Sequence, residues 1–145
     1  MEDWTYEGQI REYYAKTTML MSPSVIASAQ AVLTPFRIAG RGSLKTTALS
    51  LSGKYVGKQY WDNTENESRS VPAYFVADFS ITREFSVSGG KLSIGAYVNN
   101  LLNNKYFADA WVYRAHSRQD DRTYQEEGVF PQAPVNLMFR LGYMF

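Results

Sequence analysis

The 145-residue sequence predicts an all-β fold of antiparallel, up-and-down strands. Three observations carry that expectation. The last eleven residues alternate with period two: Val135, Leu137, Phe139, Leu141, Tyr143 and Phe145 are apolar or aromatic, with Asn136, Arg140 and Gly142 between them. Such alternation is a strand with one apolar face. Similar alternation recurs upstream, which gives about five strands in all. The connections between them alternate in length, short near 37–43 and 86–90 and long near 58–72 and 115–132.

Bulk properties narrow the class. A chain of this length suits one domain. Lys and Arg number 15 against 14 Asp and Glu, a net charge of +1 with no basic cluster, so no nucleic-acid partner is expected. Cys is absent, which excludes a disulfide framework and a thiolate metal site. The start, Met1-Glu2-Asp3-Trp4, carries neither a positive nor an apolar leader region, so no signal peptide is expected. No run of roughly 18 apolar residues exists, which excludes a spanning helix but not a spanning barrel. The mean hydropathy of -0.34 fits a soluble domain or a piece of barrel. The 15% aromatic content, with 11 Tyr, favours strands and interfaces.

Taken in order, residues 1–22 are mixed, with Trp4, Tyr6, Tyr13 and Tyr14 among charges, and Glu7–Lys16 reads as a short strand or a loop. Ser22-Pro23-Ser24 is a break, because Pro fixes its own φ and restricts its neighbour. From Val25 to Phe36, Val25, Ala27, Ala29, Ala31 and Leu33 share one face and Ser28, Gln30 and Thr34 the other. A strand is expected there, with a helix as the rival because Ala is frequent. A Gly-rich turn follows at 39–43. From Leu44 to Gly57, Thr47, Leu49, Leu51, Gly53 and Tyr55 oppose Thr46, Ala48, Ser50, Ser52 and Lys54. Residues 58–72 read as a loop. From Ala73 to Phe85, Phe75, Ala77, Phe79 and Ile81 share a face. A tight turn spans 86–90. Leu92, Ile94, Ala96 and Val98 then alternate, and the pattern persists loosely toward Tyr106. Residues 115–132 are polar and read as loop, and Pro131 and Pro134 lead into the last strand.

Two further features point to a membrane. Phe36, Phe85, Tyr143 and Phe145 fall at the short-turn end, and Tyr55, Tyr60, Trp61, Tyr74, Phe75, Tyr106 and Phe107 at the long-loop end. Two aromatic belts are what the two bilayer interfaces select. Gln30, Lys54, Asp78, Glu84, Asn99 and Arg140 are expected on one wet face, which a barrel turns toward its lumen. A soluble sandwich would expose the same residues to solvent.

Residues 98–106, Val-Asn-Asn-Leu-Leu-Asn-Asn-Lys-Tyr, resemble the "N-L-F-(D/N)-x-x-Y" stretch near the end of TonB-dependent outer-membrane receptors, with Leu102 in place of the usual Phe. Residues 53–64, residues 22–27 (Ser-Pro-Ser-Val-Ile-Ala) and residues 130–133 (Phe-Pro-Gln-Ala) are similar to segments of such receptors from Bacteroides-like bacteria. The terminal Phe145, with Phe139, Leu141 and Tyr143 on its strand, is similar to the C-terminal signal read by the barrel-assembly machinery. The resemblance covers about residues 13–145, and four short motifs in the right order make it specific.

The resemblance implies a 22-stranded transmembrane β-barrel with an internal plug, of which residues 1–145 would be a C-terminal fragment holding about five of the last strands. It implies residence in the outer membrane of a Gram-negative bacterium and contact with outer-membrane lipid. It implies active uptake of a scarce ligand, of the iron-siderophore, vitamin or glycan class, with TonB engaged only through the missing plug. Five strands cannot close a barrel, and an open edge in lipid leaves backbone groups unpaired.

Candidate ligand-binding residues are Tyr60 and Trp61 in one long loop, and Tyr113, Arg114 and His116 flanking the other, because loop aromatics stack on ligands. Tyr60 and Trp61 read at least as well as interface anchors. His116, the single His, lies near Asp120, Asp121, Glu126 and Glu127, yet a lone His in a charged loop is usually just solvated, so no metal and no cofactor are expected. No pocket-forming acid/base pair and no phosphate-binding Gly loop is legible, so no enzymatic activity is expected. The rival from another class is a soluble β-sandwich that binds a ligand or carbohydrate, with its apolar faces packed together.

Overall fold

The computed structural model describes residues 8, 9, 11, 13–34 and 47–145. The Gly-rich turn at 39–43, Phe36, residues 44–46, Trp4 and Tyr6 lie outside the described residues. Five strands form the main sheet: β1 (Ile26–Leu33), β2 (Thr47–Val56), β5 (Tyr74–Val87), β6 (Gly90–Asn99) and β9 (Asn136–Met144). Their order is β1-β2-β5-β6-β9, every neighbouring pair antiparallel. Two short strands, β3 (Gln59–Tyr60) and β4 (Ser70–Val71), pair within the 58–72 connection. Two long ones, β7 (Phe107–Ser117) and β8 (Arg122–Pro131), pair with each other between β6 and β9. The fold is therefore all-β and antiparallel, and the main sheet is a five-stranded meander interrupted by two excursions.

The register decides the faces. Residues directly opposite in an antiparallel pair point to the same side. Ala29 meets Gly53 and Gly53 meets Ala77; Leu51 meets Phe79, Phe79 meets Val98 and Val98 meets Leu137. The expected apolar positions of all five strands thus fall on one continuous face. Gln30, Lys54, Asp78, Glu84, Asn99 and Arg140 all fall on the other, as their alternation predicts. Val25–Phe36 resolves as strand where it is described, because Ala27, Ala29 and Ala31 pair across β2 and a lone helix could not use that partner.

The apolar face has no second layer among the described residues. Leu51 is 50% exposed, Phe139 76% and Leu141 74%. The buried apolar residues are few: Val56, Val71 and Ala77. Arg83 is the one charged side chain on this face among the described residues. It sits toward the short-turn end, with its guanidinium 4.6 Å from the Phe85 ring centroid. At that end β5 turns into β6 through Ser88 and Gly89, where Gly89 takes φ +88, a conformation other residues rarely adopt.

Three sequence expectations need correction. Residues 115–132 are not a loop: most of them belong to the β7–β8 hairpin, turning at residues 118–121 with Asp121 at φ 51. An excursion wet on both faces has no reason to alternate apolar with polar, so period-two reading missed it. Residues 58–72 hold β3, β4 and a 3₁₀ turn at Glu67–Arg69, capped by Asn66 Oδ1, which accepts from Ser68 N and Oγ. The strand pattern does not run on toward Tyr106. It stops at Asn99, and the chain turns a corner.

That corner is built from asparagines. Asn100 takes φ 52 and Asn103 φ 52, the left-handed region that Asn tolerates best after Gly. Asn100 is 3% exposed. Its Nδ2 donates to Asn104 O (2.9 Å) and Ala133 O (3.1 Å), and its Oδ1 accepts from Asn104 N (3.0 Å). Its backbone N donates to Asp78 Oδ1 (2.8 Å), and Leu101 N to Ala77 O (2.7 Å). Asn104 Nδ2 reaches Phe75 O, Asn103 Oδ1 accepts from Val135 N, and Asn99 Nδ2 donates to Asn136 Oδ1. One short segment therefore ties β5 to the approach of β9.

Replacing Asn100 by Ala leaves Asn104 N and two carbonyls without these partners. Each buried group left unpaired costs roughly 1–3 kcal/mol, so the unfolding free energy should fall by about 3 kcal/mol in all, and the denaturant midpoint with it. An Asn103→Ala change meets the same left-handed backbone but loses a single side-chain bond, the one to Val135 N, and should cost less. Equal midpoints for wild type and Asn100→Ala would show that the corner does not hold the strands.

Candidate functional site

The two excursions lie at the same end of the sheet and touch each other. The first is tied internally by two charge clusters. Lys58 Nζ donates to Glu67 Oε1 at 2.7 Å and to Oε2 at 2.9 Å, and Tyr60 OH donates to Glu67 Oε1 at 2.9 Å. Lys58 also sits 4.9 Å from the Tyr60 ring centroid. The Glu67 carboxylate, and after it the Tyr60 hydroxyl, push the Lys58 ammonium up to about 12. Both side chains are exposed, so this pair stabilises little.

The second cluster is better shielded. Arg69 Nη1 donates to Asp62 Oδ2 at 2.7 Å, and the side chains are only 18% and 11% exposed. Asp62 Oδ1 accepts from Thr64 N and Thr64 Oγ1. Burial pushes the Asp62 carboxyl up. The bonds from Thr64 and then from Arg69 outweigh it, and the group titrates below its ordinary range.

Arg69 is also the link between the excursions. Its Nη2 donates to Gln125 Oε1 at 2.6 Å, and Gln125 Nε2 donates on to Glu127 Oε2 at 3.0 Å. Gln59 Nε2 reaches Ala108 O at 3.4 Å, and the Trp61 and Phe107 rings lie 6.4 Å apart at a 58° tilt. Tyr74 stacks on Tyr106 at 4.4 Å. The N-terminal stretch joins the same end: Met21 N donates to Tyr60 O, and Thr18 N to Glu65 Oε1.

The sequence-predicted residues are at this end but do not form one pocket. Tyr60 borders a cleft of about 290 Å³ beside Thr18, Val25, Tyr55 and Lys58. Trp61 is packed at the base of the hairpin. Arg114 lies opposite Gln125 and so shares the hairpin face that meets Arg69. His116 is farther along that face, with Nδ1 3.3 Å from Thr123 Oγ1 and Nε2 3.5 Å from Asp121 Oδ1. Tyr113 points to the opposite face, across from Glu126. Among the described residues no three His, Asp or Glu side chains converge to hold a metal ion. Phe139, Leu141 and Tyr143 line the apolar face of β9, and Phe145 beyond it is fully exposed with its ring 6.3 Å from that of Tyr143.

Sequence reasoning missed Asp62, Arg69 and Gln125, which carry the contact between excursions, and Trp111 and Tyr124 on the hairpin. The last two were recoverable. Once 107–131 is read as paired strands, alternation places Trp111 and Tyr113 on one face. The Arg69–Gln125 contact spans 56 positions and leaves no local signal.

Comparison of the chain with protein-family models, with curated proteins and with solved structures returns no match. The site is therefore described by its own geometry: a hydrogen-bonded platform of two excursions above a sheet whose faces differ sharply in polarity.

The depressed Asp62 group has a pH consequence. Its stabilising bonds are fully present above the ordinary carboxyl value of 3.8 and are lost as pH falls through its lower folded value. The Thr64 amide, which donates to Asp62, should therefore stay protected from hydrogen exchange at mildly acidic pH and open in a step below 3.8. An Asp62→Asn variant should lack that step. A wild-type profile without it would show that Asp62 does not hold the turn.

Proposed function

We propose that the chain is the C-terminal barrel segment of a TonB-dependent outer-membrane receptor. Its sheet is part of the wall of a 22-stranded barrel, and its excursions are part of the outer vestibule through which a scarce ligand enters. In this reading β9 supplies the closing edge of the barrel, and Phe139, Leu141, Tyr143 and Phe145 form the assembly signal. No step of catalysis is assigned to it.

The observation that carries the proposal is the uncovered apolar face, continuous over all five strands and backed by a polar one. Lipid outside and water inside is the solvent arrangement such a sheet needs. The dimensions agree. Phe75 and Phe85 stand ten residues apart on β5. That is about 33 Å along a strand, and about 23 Å in height for a strand tilted about 45°, close to the roughly 25 Å apolar band of such barrels. Arg83 falls beside the lower aromatic row, where a long cationic side chain can reach the headgroups. A soluble sandwich would instead need a second layer against the apolar face, and none lies there among the described residues.

Arg placed on the lipid side of such a barrel costs about 2–4 kcal/mol at the bilayer midplane. Leu51→Arg and Phe79→Arg, which are cross-strand partners, should each lower recovery of the protein in the outer-membrane fraction. Ser80→Arg, one residue over on the polar face, should not. Equal recovery of all three would favour a soluble packing. Deletion of Phe145 should also reduce outer-membrane yield, and undiminished yield would remove the assembly role from the terminus.

A further inference from the structure

The β7–β8 hairpin has two unlike faces. The face that meets Arg69 is mostly polar, with Arg114, His116, Thr123, Gln125 and Glu127 beside Val112 and Val129. The other carries aromatic rings: Trp111 at 44% exposure, Tyr113 at 59% and Tyr124 at 44%. Trp111 and Tyr113 are two residues apart on β7, about 7 Å along the strand. Tyr124 is diagonal to Tyr113 on β8, opposite Ala115.

Two devices hold these rings in place. Gly128 is opposite Trp111, and a Cβ there would come 2.5 Å from the indole Nε1 and 2.8 Å from Cε2. The indole therefore occupies the space over Gly128, and any side chain at 128 would displace it. Tyr124 OH donates to Asp120 Oδ2 at 2.8 Å, which anchors that ring at the hairpin tip. The rings are interleaved with polar groups. Glu126 is opposite Tyr113, Asp109 is opposite Phe130, and Ser117 is opposite Arg122 at the tip.

We propose that this face, centred on Trp111, Tyr113, Tyr124 and Glu126, binds a neutral oligosaccharide. The apolar C–H faces of sugar rings pack on aromatic faces, and the hydroxyls at their edges donate to carboxylates, in bonds stronger than neutral ones. An apolar protein surface fits less well, because it would desolvate the carboxylates of Glu126 and Asp109, of which Asp109 keeps only the bond from Ala110 N. An organic cation would suit the rings and carboxylates but meets Arg122 on the same face. The polyhydroxylated ligand is the one whose groups match every group presented. The inference names a ligand class for the receptor proposed above, and rests on that reading for the hairpin's place in an outer vestibule.

The test is calorimetric titration of the full chain, in a sugar-free detergent, with cellohexaose, maltohexaose and chitohexaose, and with tetramethylammonium as the cationic probe. At least one hexasaccharide should bind saturably. Trp111→Ala should weaken it on the order of tenfold, the scale of one lost aromatic contact. Gly128→Val, which moves the indole, and Glu126→Gln, which keeps the shape, should also weaken it. Thr123→Ala, on the opposite face, should not. Circular dichroism checks that each variant keeps its strands. Absence of binding by all three hexasaccharides, binding of tetramethylammonium alone, or sugar binding indifferent to Trp111→Ala would each overturn the proposal. Membrane fractionation of the same protein separates the two ideas. A chain found in the outer membrane that binds no sugar defeats this inference alone, and a sugar-binding chain that does not partition there defeats the receptor reading alone.

Discussion

Register is the constraint on which the rest of this structure depends. A one-residue slip between any two strands of the main sheet would turn a whole row of apolar side chains onto the polar side. The tight turn from β5 to β6 limits such slips locally, but β6 and β9 are separated by the entire β7–β8 excursion. The Asn100 side chain bridges that separation. It binds Asn104 O and Ala133 O together, while its backbone N is held by Asp78 of β5. A left-handed residue that must also donate twice and accept once from a buried position has few alternatives to Asn.

With register set, the sheet separates two environments. Its apolar face runs from Ala29 on β1 to Phe139 on β9 without interruption by charge, apart from Arg83 near one end. Its polar face collects Lys54, Asp78, Glu84 and Arg140. Charge-rich contacts otherwise concentrate in the excursions, where Lys58–Glu67 and Asp62–Arg69 are found. The polarity pattern thus changes at the aromatic row near Tyr55 and Phe75, beyond which the ion pairs of the excursions lie. The excursions are positioned by hydrogen bonds to one another and not only by the strands below them.

Much of the fold was legible in the residues. Strands with one wet face alternate strictly, and Leu49–Leu51 or Leu137–Phe139–Leu141 could hardly be read otherwise. The tight turn around Gly89 was legible for the same reason that Gly is there. The β7–β8 hairpin was not legible, because both its faces are exposed and its alternation is aromatic against polar rather than apolar against polar. The site fared less well than the fold. Tyr60, Trp61, Tyr113, Arg114 and His116 all lie in the two excursions, and the structure spreads them over two hairpin faces and a loop base. Asp62, Arg69 and Gln125 gave no sign of their connection, because each is ordinary in its local sequence.

What the sequence determined by itself was which side each strand residue takes, since period two is a local property of an extended chain. It did not determine the asparagine corner: alternation reads on past Asn99 toward Tyr106, and the turn rests on bonds from Asn100 to Asp78 and Ala133, which are distant in the chain. Only the tertiary structure decided that the five apolar stripes merge into one uncovered face. That merger needs five strands in one register, and no single strand encodes it. Only the tertiary structure, too, set Trp111 over Gly128 and Arg69 against Gln125. Those contacts join residues distant in the chain, and pairing brings them within reach.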